Sequence, residues 1–418
     1  MHWHPSAAFL SASFVTTHPC HNHHSAKTNT QHQRQCSSLA ATTPPTAIPE
    51  ETTAASSSSF VSKPVDPALY NDLLLWVLQQ DGAFVHEALS IQPSTSGSGY
   101  GMYVTQDIPD KDTLLLQIPR SACVTLDNAL QDETSGKVFA KLIESAGATG
   151  GNTVCLAGYL ARERLRNLEY QKGNVAEDSQ FGPYLATLPW ERGINNQEHV
   201  LFWSSDKIDE LLPGTMCYEE VMDLRGEVEL AATILNRIIG RTILEWRGIV
   251  VPKPAFQWPW EAAQSAAKDP DPTVMVNGWL PAVQGAFVTL LTRAFQDRAS
   301  TTSTNNGQDD RTDFDDEREK LVPILDLLQH SETPNIQHVM SSAAQGAVVV
   351  TSATPLEAGE ELFNQYRSEL EESMPYHRFF SRFGFIPGLS GNDATYNDDL
   401  EQLLRDKSSI FVAQTREV

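Results

Sequence analysis

Two stretches decide the fold: LVPILDLLQHSETPN at residues 321–335, and GEELFNQY at residues 359–366. The first is an apolar run that ends in a Pro-Asn turn and carries three polar side chains: Asp326, Gln329 and His330. The second begins in a turn, and its alternation predicts a short half-buried strand over 362–366 that ends on a phenol. Both stretches therefore place polar groups where apolar segments end.

These stretches resemble the C-terminal half of a SET-domain methyltransferase, in the branch of the Rubisco large-subunit methyltransferase. The family's pattern is D-x-x-N-H-S, then P-N, and further along G-E-E/Q-x-F-x-x-Y. Here the first motif reads DLLQHS from Asp326, with Gln329 in place of the family's Asn, and the second reads GEELFNQY. The resemblance implies an α+β fold: a SET fold of short β-strands with a pseudoknot, interrupted by a helical insert.

Three other segments resemble the same family. GYGMYVTQDIPDKDTLLLQIPRS, residues 99–121, matches its N-terminal G-x-G, strand, turn, strand and I-P-R, whereas TRAF at 292–295 matches S-R-A-F and FGF at 383–385 matches Y-G-F. The first of these is not a dinucleotide fingerprint, because Val104 stands where G-x-G-x-x-G needs its last glycine. Phe383 is a second departure, since it removes a phenol from the substrate channel that the family implies.

The resemblance implies S-adenosylmethionine as cofactor and assigns roles to the matched positions. They are Tyr366 as the catalytic residue, Ser98, Gly99, Tyr100, Arg293, Asp326, Gln329 and His330 at the cofactor, and Asp326 and Phe383 at the substrate channel. Methyl transfer to an amine requires collinear reacting atoms and a neutral amine, against an ordinary lysine pKa of about 10.4. Glycine lets the backbone approach a ligand closely, and arginine pairs with a carboxylate. No metal is required.

Composition limits the partners. The chain has 418 residues, 40% of them apolar, and a net charge of -23. Its apolar runs fall far short of the ~20 residues of a transmembrane helix, so we expect no membrane span. An acidic surface repels phosphate backbones, which disfavours a nucleic-acid substrate and favours a basic protein segment with an accessible lysine. Five cysteines without C-x-x-C spacing predict neither a disulfide framework nor a zinc site, and favour a reducing compartment. Composition does not set the oligomeric state.

Residues 1–63 have no acidic residue before Glu50 and are rich in Ser, Thr, Ala and Pro. Such a segment cannot bury enough apolar area to offset its chain entropy, so we predict a disordered leader, and its composition is typical of a transit peptide. The resemblance to a plastid enzyme family favours a plastid over a mitochondrial or cytosolic location. A metal-binding tract at CHNHH, residues 20–24, and a secretory signal around 7–15 are the alternatives.

The predicted organisation has five parts: the leader 1–63, an N-terminal SET segment 64–125, a helical insert 126–285, a C-terminal SET segment 286–390 with a disordered acidic loop 300–320, and a tail 391–418. The family's C-terminal substrate-binding lobe is expected to be mostly absent. Predicted helices begin at Asp66-Pro67, cover 153–168, 226–239 before Gly240, and 283–295, with a surface loop over 251–281. Strands are predicted over 102–104 and 114–118.

We therefore expect a protein-lysine N-methyltransferase that acts on an organellar, plastid protein. A histidine acceptor is an alternative within the same chemistry. A catalytically silent SET-fold protein-binding module is an alternative of another class, because Gln329 adds a methylene to a packed site. Tyr184 and Trp203 are interpreted as core residues.

Overall fold

The structure is a computed structural model that describes residues 65–95, 99–146, 148–193, 199–249, 275–296, 319–341, 346–366, 375–386 and 396–406. Five predictions fall wholly or mostly outside these residues: the leader 1–63, the role of Ser98, the surface loop 251–281, the acidic loop 300–320 and the tail 391–418.

Ten helices are found among the described residues. They are α1 (Pro67–Leu78), α2 (Leu126–Gln131), α3 (Gly136–Ala146), α4 (Ala148–Gln171), α5 (Gly182–Leu185), α6 (Ser205–Leu211), α7 (Cys217–Trp246), α8 (Trp279–Arg293), α9 (Tyr376–Phe383) and α10 (Tyr396–Arg405). Short 3-10 turns cover Arg120–Ala122, Val200–Phe202 and Leu325–Leu327. None of the helices in the described ranges combines the length and apolar character needed to cross a bilayer.

Eleven short strands lie in the described segments. They are β1 (Phe84–Val85), β2 (Leu89–Pro93), β3 (Tyr100–Val104), β4 (Leu114–Ile118), β5 (Val124–Thr125), β6 (Ala294–Gln296), β7 (Glu319–Leu321), β8 (Gln329–His330), β9 (Ile336–Ser341), β10 (Ala347–Ser352) and β11 (Phe363–Asn364). They form small sheets in the orders β1-β4-β10-β9, β5-β7-β6, β2-β3 and β11-β8. All pair antiparallel except β8 and β11, which are parallel. Short strands beside a block of helices confirm the predicted α+β class.

Helix α1 begins where the sequence predicts. Asp66 caps it by accepting a hydrogen bond from the Ala68 amide at 2.9 Å, and a proline follows at the first helical position. Its buried face consists of Tyr70, Leu73 and Val77. The predicted strands over 102–104 and 114–118 are also confirmed, as the cores of β3 and β4.

The prediction that Gly240 ends a helix is wrong, because α7 continues to Trp246. A side chain at Gly240 would lie only 2.9 Å from the Asn236 Oδ1 and 3.1 Å from Val276. The Asn236 Oδ1 accepts a hydrogen bond from the Val276 amide at 3.0 Å. The glycine therefore allows a neighbouring segment to pack closely, and its helix cost is offset by that packing.

Other predicted boundaries are also wrong. Helix α8 starts at the fully buried Trp279, inside the predicted loop, and ends at Arg293 instead of 295. Ala294–Gln296 form β6, which pairs with Glu319–Leu321, so the predicted acidic loop ends before 319. Strand β11 covers only two residues of the predicted 362–366. Strand pairing between segments distant in sequence produced the changes at 294–296 and 319–321, and local periodicity does not report such pairing.

The helices and strands share one large apolar core, and a smaller second cluster lies beside it. The second cluster joins the first turns of α7 to α6, α9 and α10, through residues such as Trp203, Ile208, Phe380 and Leu404. The neighbouring face of α9 carries Phe379 and Phe383, which lie at the site described below. Packing of this small cluster therefore sets the position of α9.

His199 connects Leu201 of the large core to Arg382 of α9, and it makes the free energy of unfolding depend on pH. Its side chain is fully buried, its Nδ1 accepts from the Leu201 amide at 3.2 Å, and its Nε2 lies 3.1 Å from the Arg382 carbonyl oxygen. Burial lowers the pKa of His199 from 6.5 to about 4. The unfolded chain therefore binds this proton first as the pH falls, so the contribution is present above pH 6.5 and lost by about pH 4.

We expect the free energy of unfolding to fall by roughly 3 kcal/mol from this group over that interval. Urea unfolding at a series of pH values measures it. In a His199→Asn variant, which keeps a cap acceptor, the slope between pH 6.5 and 4 should decrease by about one proton. Equal slopes in the two proteins would contradict this account.

Candidate active site

The phenol of Tyr366 is held where two strands meet. Strands β8 and β11 pair with Phe363 opposite Gln329 and Asn364 opposite His330. Two residues later the Tyr366 amide donates to the His330 Nδ1 at 3.1 Å, and the Tyr366 hydroxyl donates to the Leu328 carbonyl oxygen at 3.0 Å. The two quoted stretches therefore converge in space as the sequence predicts.

His330 holds the Tyr366 backbone in place as one particular tautomer. Because Nδ1 accepts from an amide, its proton is on Nε2, which lies 3.4 Å from the Glu332 carboxylate. The side chain of His330 is only 5% exposed. Its direct contact is with the Tyr366 backbone, so it positions the phenol.

The side chain of Asn335, at the Pro-Asn turn, joins the two quoted stretches. Its Nδ2 donates to the Glu361 carbonyl oxygen and to the Glu360 carboxylate, both at 2.8 Å, and its Oδ1 accepts from the Phe363 amide at 2.7 Å. One buried amide thus ties the end of the first stretch to the start of the second.

Aromatic rings surround Tyr366. Ring centroids of His330 and Phe383 each lie 5.4 Å from that of Tyr366, and that of Phe385 lies at 6.2 Å. Phe379 packs at 4.7 Å from Phe383 and 5.1 Å from Phe385. Such rings exclude water and offer π faces to a cation. Phe383, predicted at the substrate channel, is therefore in contact with Tyr366.

Asp326 forms the charged part of the site. Its side chain has no exposed surface, its Oδ2 accepts from the Tyr184 hydroxyl at 2.7 Å, and Arg293 Nη1 lies 3.4 Å away. Burial raises the pKa of Asp326, and the Arg293 charge opposes that shift. Burial acts to lower the pKa of Arg293, but the charge of Asp326 raises it overall, and Tyr184, Tyr70 and Tyr366 lie close enough to interact with the guanidinium. The guanidinium is therefore charged and close to the phenol.

Backbone strain sets the orientation of Asp326. Ile324 is fully buried and has φ 70° and ψ -50°, a conformation that β-branched residues rarely adopt. It directly precedes the turn Leu325–Leu327, and the Asp326 amide donates back to the Val322 carbonyl oxygen at 3.1 Å. Such strain persists only where surrounding contacts enforce it, and it concentrates at functional sites.

The Gly99-Tyr100 segment contacts Gln329 of the same site. Gln329 Nε2 donates to the Tyr100 carbonyl oxygen at 3.2 Å and to the Leu327 carbonyl oxygen at 3.4 Å. The Tyr100 ring stacks on Tyr70 of α1 at 4.1 Å. Gly99 has φ 84°, which glycine adopts without strain. The longer amide of Gln329 is therefore accommodated by a bond between β8 and β3.

The structure thus brings together Gly99, Tyr100, Arg293, Asp326, Gln329, His330, Tyr366 and Phe383, whereas Ser98 lies outside the described residues. Their individual roles remain predictions. Within the described part of the chain, no group of three or more His, Cys, Asp or Glu side chains is arranged for a metal ion.

Sequence analysis missed the role of Tyr184, which it interpreted as core. Tyr184 is indeed fully buried, but its hydroxyl reaches Asp326 from helix α5 of the insert. Burial raises its pKa well above the ordinary value. Nothing in the sequence around Tyr184 indicated a partner 142 residues away.

Comparison with known proteins decides the family. The SET domain matches residues 99–367, which is more than half of the chain. The chain belongs to the SET-domain family. The match extends from Gly99 beyond Tyr366, so it includes both ends of the site.

A curated relative of this SET-domain protein is the N-lysine methyltransferase setd6 of Salmo salar, 26% identical over 267 residues, which are 64% of this chain and 47% of the relative. Two similar solved structures are the SET domain of LSMT bound to lysine and AdoHcy, and Rubisco LSMT bound to AdoMet. Each is 19% identical with a TM-score of 0.51, and the alignments cover 82% and 81% of this chain and 65% and 63% of theirs. These structures confirm the SET fold. The chain spans about half the length of the curated relative.

Proposed function

We propose that this SET-domain protein is an S-adenosylmethionine-dependent protein-lysine N-methyltransferase. The observation that supports it most is the convergence of Tyr366, Asp326 and Arg293 with the Gly99-Tyr100 segment, although they come from four separate parts of the sequence. The names of its relatives agree, since one is an N-lysine methyltransferase and another is bound to AdoMet.

The residues present fit S-adenosylmethionine. Asp326 Oδ1 is buried and makes no hydrogen bond within the described residues. This oxygen can therefore accept a hydrogen bond from a cationic N–H donor of a ligand. Within the described residues, Arg293 donates hydrogen bonds only from Nη1, to Asp326. Its other N–H groups can therefore bind a carboxylate. Gly99 and Tyr100 supply backbone for close approach. When bound, this group supplies an electrophilic methyl on a positively charged sulfur.

The chain itself must receive a neutral amine. A lysine in water has a pKa of about 10.4, and transfer into surroundings from which water is excluded lowers it. The rings of Phe379, Phe383 and Phe385 provide those surroundings beside the Tyr366 hydroxyl. No side chain then has to act as a strong base.

Tyr366 orients the reacting groups and does not take up the amine's proton. Burial raises its pKa to about 12, so the phenol is protonated at any physiological pH. Its proton is donated to the Leu328 carbonyl oxygen, so the lone pairs of the phenol oxygen point away from that carbonyl and can accept contacts from a substrate. Together with that carbonyl, it provides oxygens that orient an incoming amine and methyl.

The substrate and location are part of the proposal. We infer a plastid protein substrate with an accessible lysine, supported by the acidic charge of the chain and by the acid-poor composition of residues 1–63. Sequencing the N-terminus of protein isolated from its own cells tests the leader: a chain that retains residues 1–63 would contradict it.

The assay for the proposed function uses the full chain, radiolabelled S-adenosylmethionine and an extract of the organelle. Label should appear on lysine in an acid-hydrolysed product, whereas label on histidine would favour the alternative acceptor. Calorimetry with S-adenosylmethionine alone separates the silent module from the enzyme, since a module without cofactor affinity gives no heat of binding. Absence of both binding and transfer would overturn the proposal.

A further inference from the structure

Glu361 is a buried carboxylate that binds Ser94 and Thr95, which precede Gly99 in the sequence. It is only 5% exposed, its Oε1 accepts from the Ser94 hydroxyl at 2.7 Å, and its Oε2 accepts from the Tyr103 hydroxyl at 2.8 Å. The Thr95 hydroxyl lies 3.5 Å from Oε2, and the Thr95 amide donates to the Tyr103 oxygen at 2.9 Å. One carboxylate and one phenol thus fix two consecutive residues, Ser94 and Thr95.

The glycine-containing segment is built around this carboxylate. A Cβ on Gly101 would lie 2.3 Å from the Glu361 Oε1, so the residue at 101 has to be glycine while Glu361 stays in place. The Ser94 amide donates to the Gly99 carbonyl oxygen at 2.9 Å and so connects Ser94 to Gly99. The second glycine of G-x-G is therefore required by its contact with Glu361.

The same strand segment carries Tyr366. Glu361 forms a bridge with Tyr103, and the Leu362 amide donates to the Met102 carbonyl oxygen at 2.8 Å. Tyr366 follows five residues after Glu361. A displacement of Glu361 would therefore move the Gly99 segment relative to the phenol.

We infer that Glu361 is a positioning residue that fixes Ser94 and Thr95, and through the Ser94 bond also Gly99, for cofactor binding, an inference that rests on the proposed function. Hydroxyl groups donating to a buried carboxylate make strong hydrogen bonds that a neutral side chain does not replace in full. Loss of the carboxylate frees residues 94 and 95 and raises the entropic cost of ordering the segment on a ligand. Cofactor affinity should decrease more than turnover at saturating cofactor.

The test compares Glu361→Ala with Glu360→Ala, the neighbouring carboxylate, which contacts Asn335 and the Glu357 amide instead of Ser94 and Thr95. Calorimetry should give a Kd for S-adenosylmethionine about tenfold or more higher for Glu361→Ala, with little change for Glu360→Ala. In the transfer assay KM for the cofactor should rise by a similar factor and kcat should change less. Glu361→Gln, which keeps an acceptor for Ser94, should recover part of the affinity.

Hydrogen exchange tests the inference without the cofactor. The Thr95 amide should exchange faster in Glu361→Ala and in Tyr103→Phe, and as in wild type in Glu360→Ala. If Glu361→Ala does not fold, Glu361→Gln and Tyr103→Phe replace it. A wild type that binds no S-adenosylmethionine would overturn the proposed function, whereas unchanged affinity and unchanged Thr95 exchange in the Glu361 variants would overturn this inference alone.

Discussion

Tyr366→Phe is expected to reduce methyl transfer by about 10² to 10³ at saturating substrates, the loss seen when one oriented polar group is removed from a reacting centre. The hydroxyl donates to the Leu328 carbonyl oxygen, and phenylalanine keeps the ring contacts with His330 and Phe383. The loss should therefore appear in kcat, with cofactor affinity nearly unchanged. Steady-state assays with radiolabelled S-adenosylmethionine measure it.

Tyr159→Phe is the matched control. Tyr159 is buried, at 4% exposure, whereas Tyr366 is half-buried, and Tyr159 lies on α4 beside Glu163 and Asp132. Both variants lose one tyrosine hydroxyl, which costs about 1–3 kcal/mol at most. Only the change at Tyr366 should affect turnover. Transfer by Tyr366→Phe at the wild-type rate would remove this residue from the chemistry.

The pairing of the two motif stretches could be predicted from sequence because each residue type there has a local reason. The apolar run that ends at Pro334-Asn335 and the turn that starts GEELF both mark element ends, and the family pattern fixes their register. Tyr366 and His330 follow directly from that register. The structure places them 3.1 Å apart through an amide and a ring nitrogen.

Contacts between distant segments could not be predicted. Tyr184 reads as an apolar landmark, since nothing near it shows that Asp326 would supply an acceptor. Glu361 belongs to a motif, but its partners Ser94 and Tyr103 lie more than 250 residues earlier in the chain. Gly240 resembles a helix end by the local rule and is instead a packing position. In each case long-range packing overrides local propensity.

These contacts suggest how the insert and the SET segments depend on each other. Tyr184 from the insert, Arg293 from the end of α8 and Asp326 from the strained turn meet at one carboxylate. The hydroxyl of Tyr184 and the charge of Arg293 act on the same oxygen, Oδ2, while Oδ1 has no protein partner in the described residues. Both protein groups thus act on one side of the Asp326 carboxylate, and the proposed function assigns the other side to a ligand.

Arg293→Met is accordingly expected to have the largest effect on stability. It leaves a fully buried carboxylate without its counter-charge, which costs about 3–5 kcal/mol. The pKa of Asp326, already raised by burial, should rise further. A group with a raised folded pKa stabilises the protein at low pH and loses that contribution as the pH rises, so the defect should be larger at pH 7 than near pH 5. Urea unfolding at both pH values measures it.

The double variant Arg293→Met with Asp326→Asn separates stability from binding. Asparagine keeps an acceptor for Tyr184 and removes the buried charge, so most of the lost free energy of unfolding should return and the pH dependence should disappear. Binding of S-adenosylmethionine should not return, because the guanidinium for its carboxylate is absent. A double variant as unstable as Arg293→Met would show that Arg293 stabilises the fold by packing, and a double variant that binds as wild type would show that Arg293 has no part in the cofactor site.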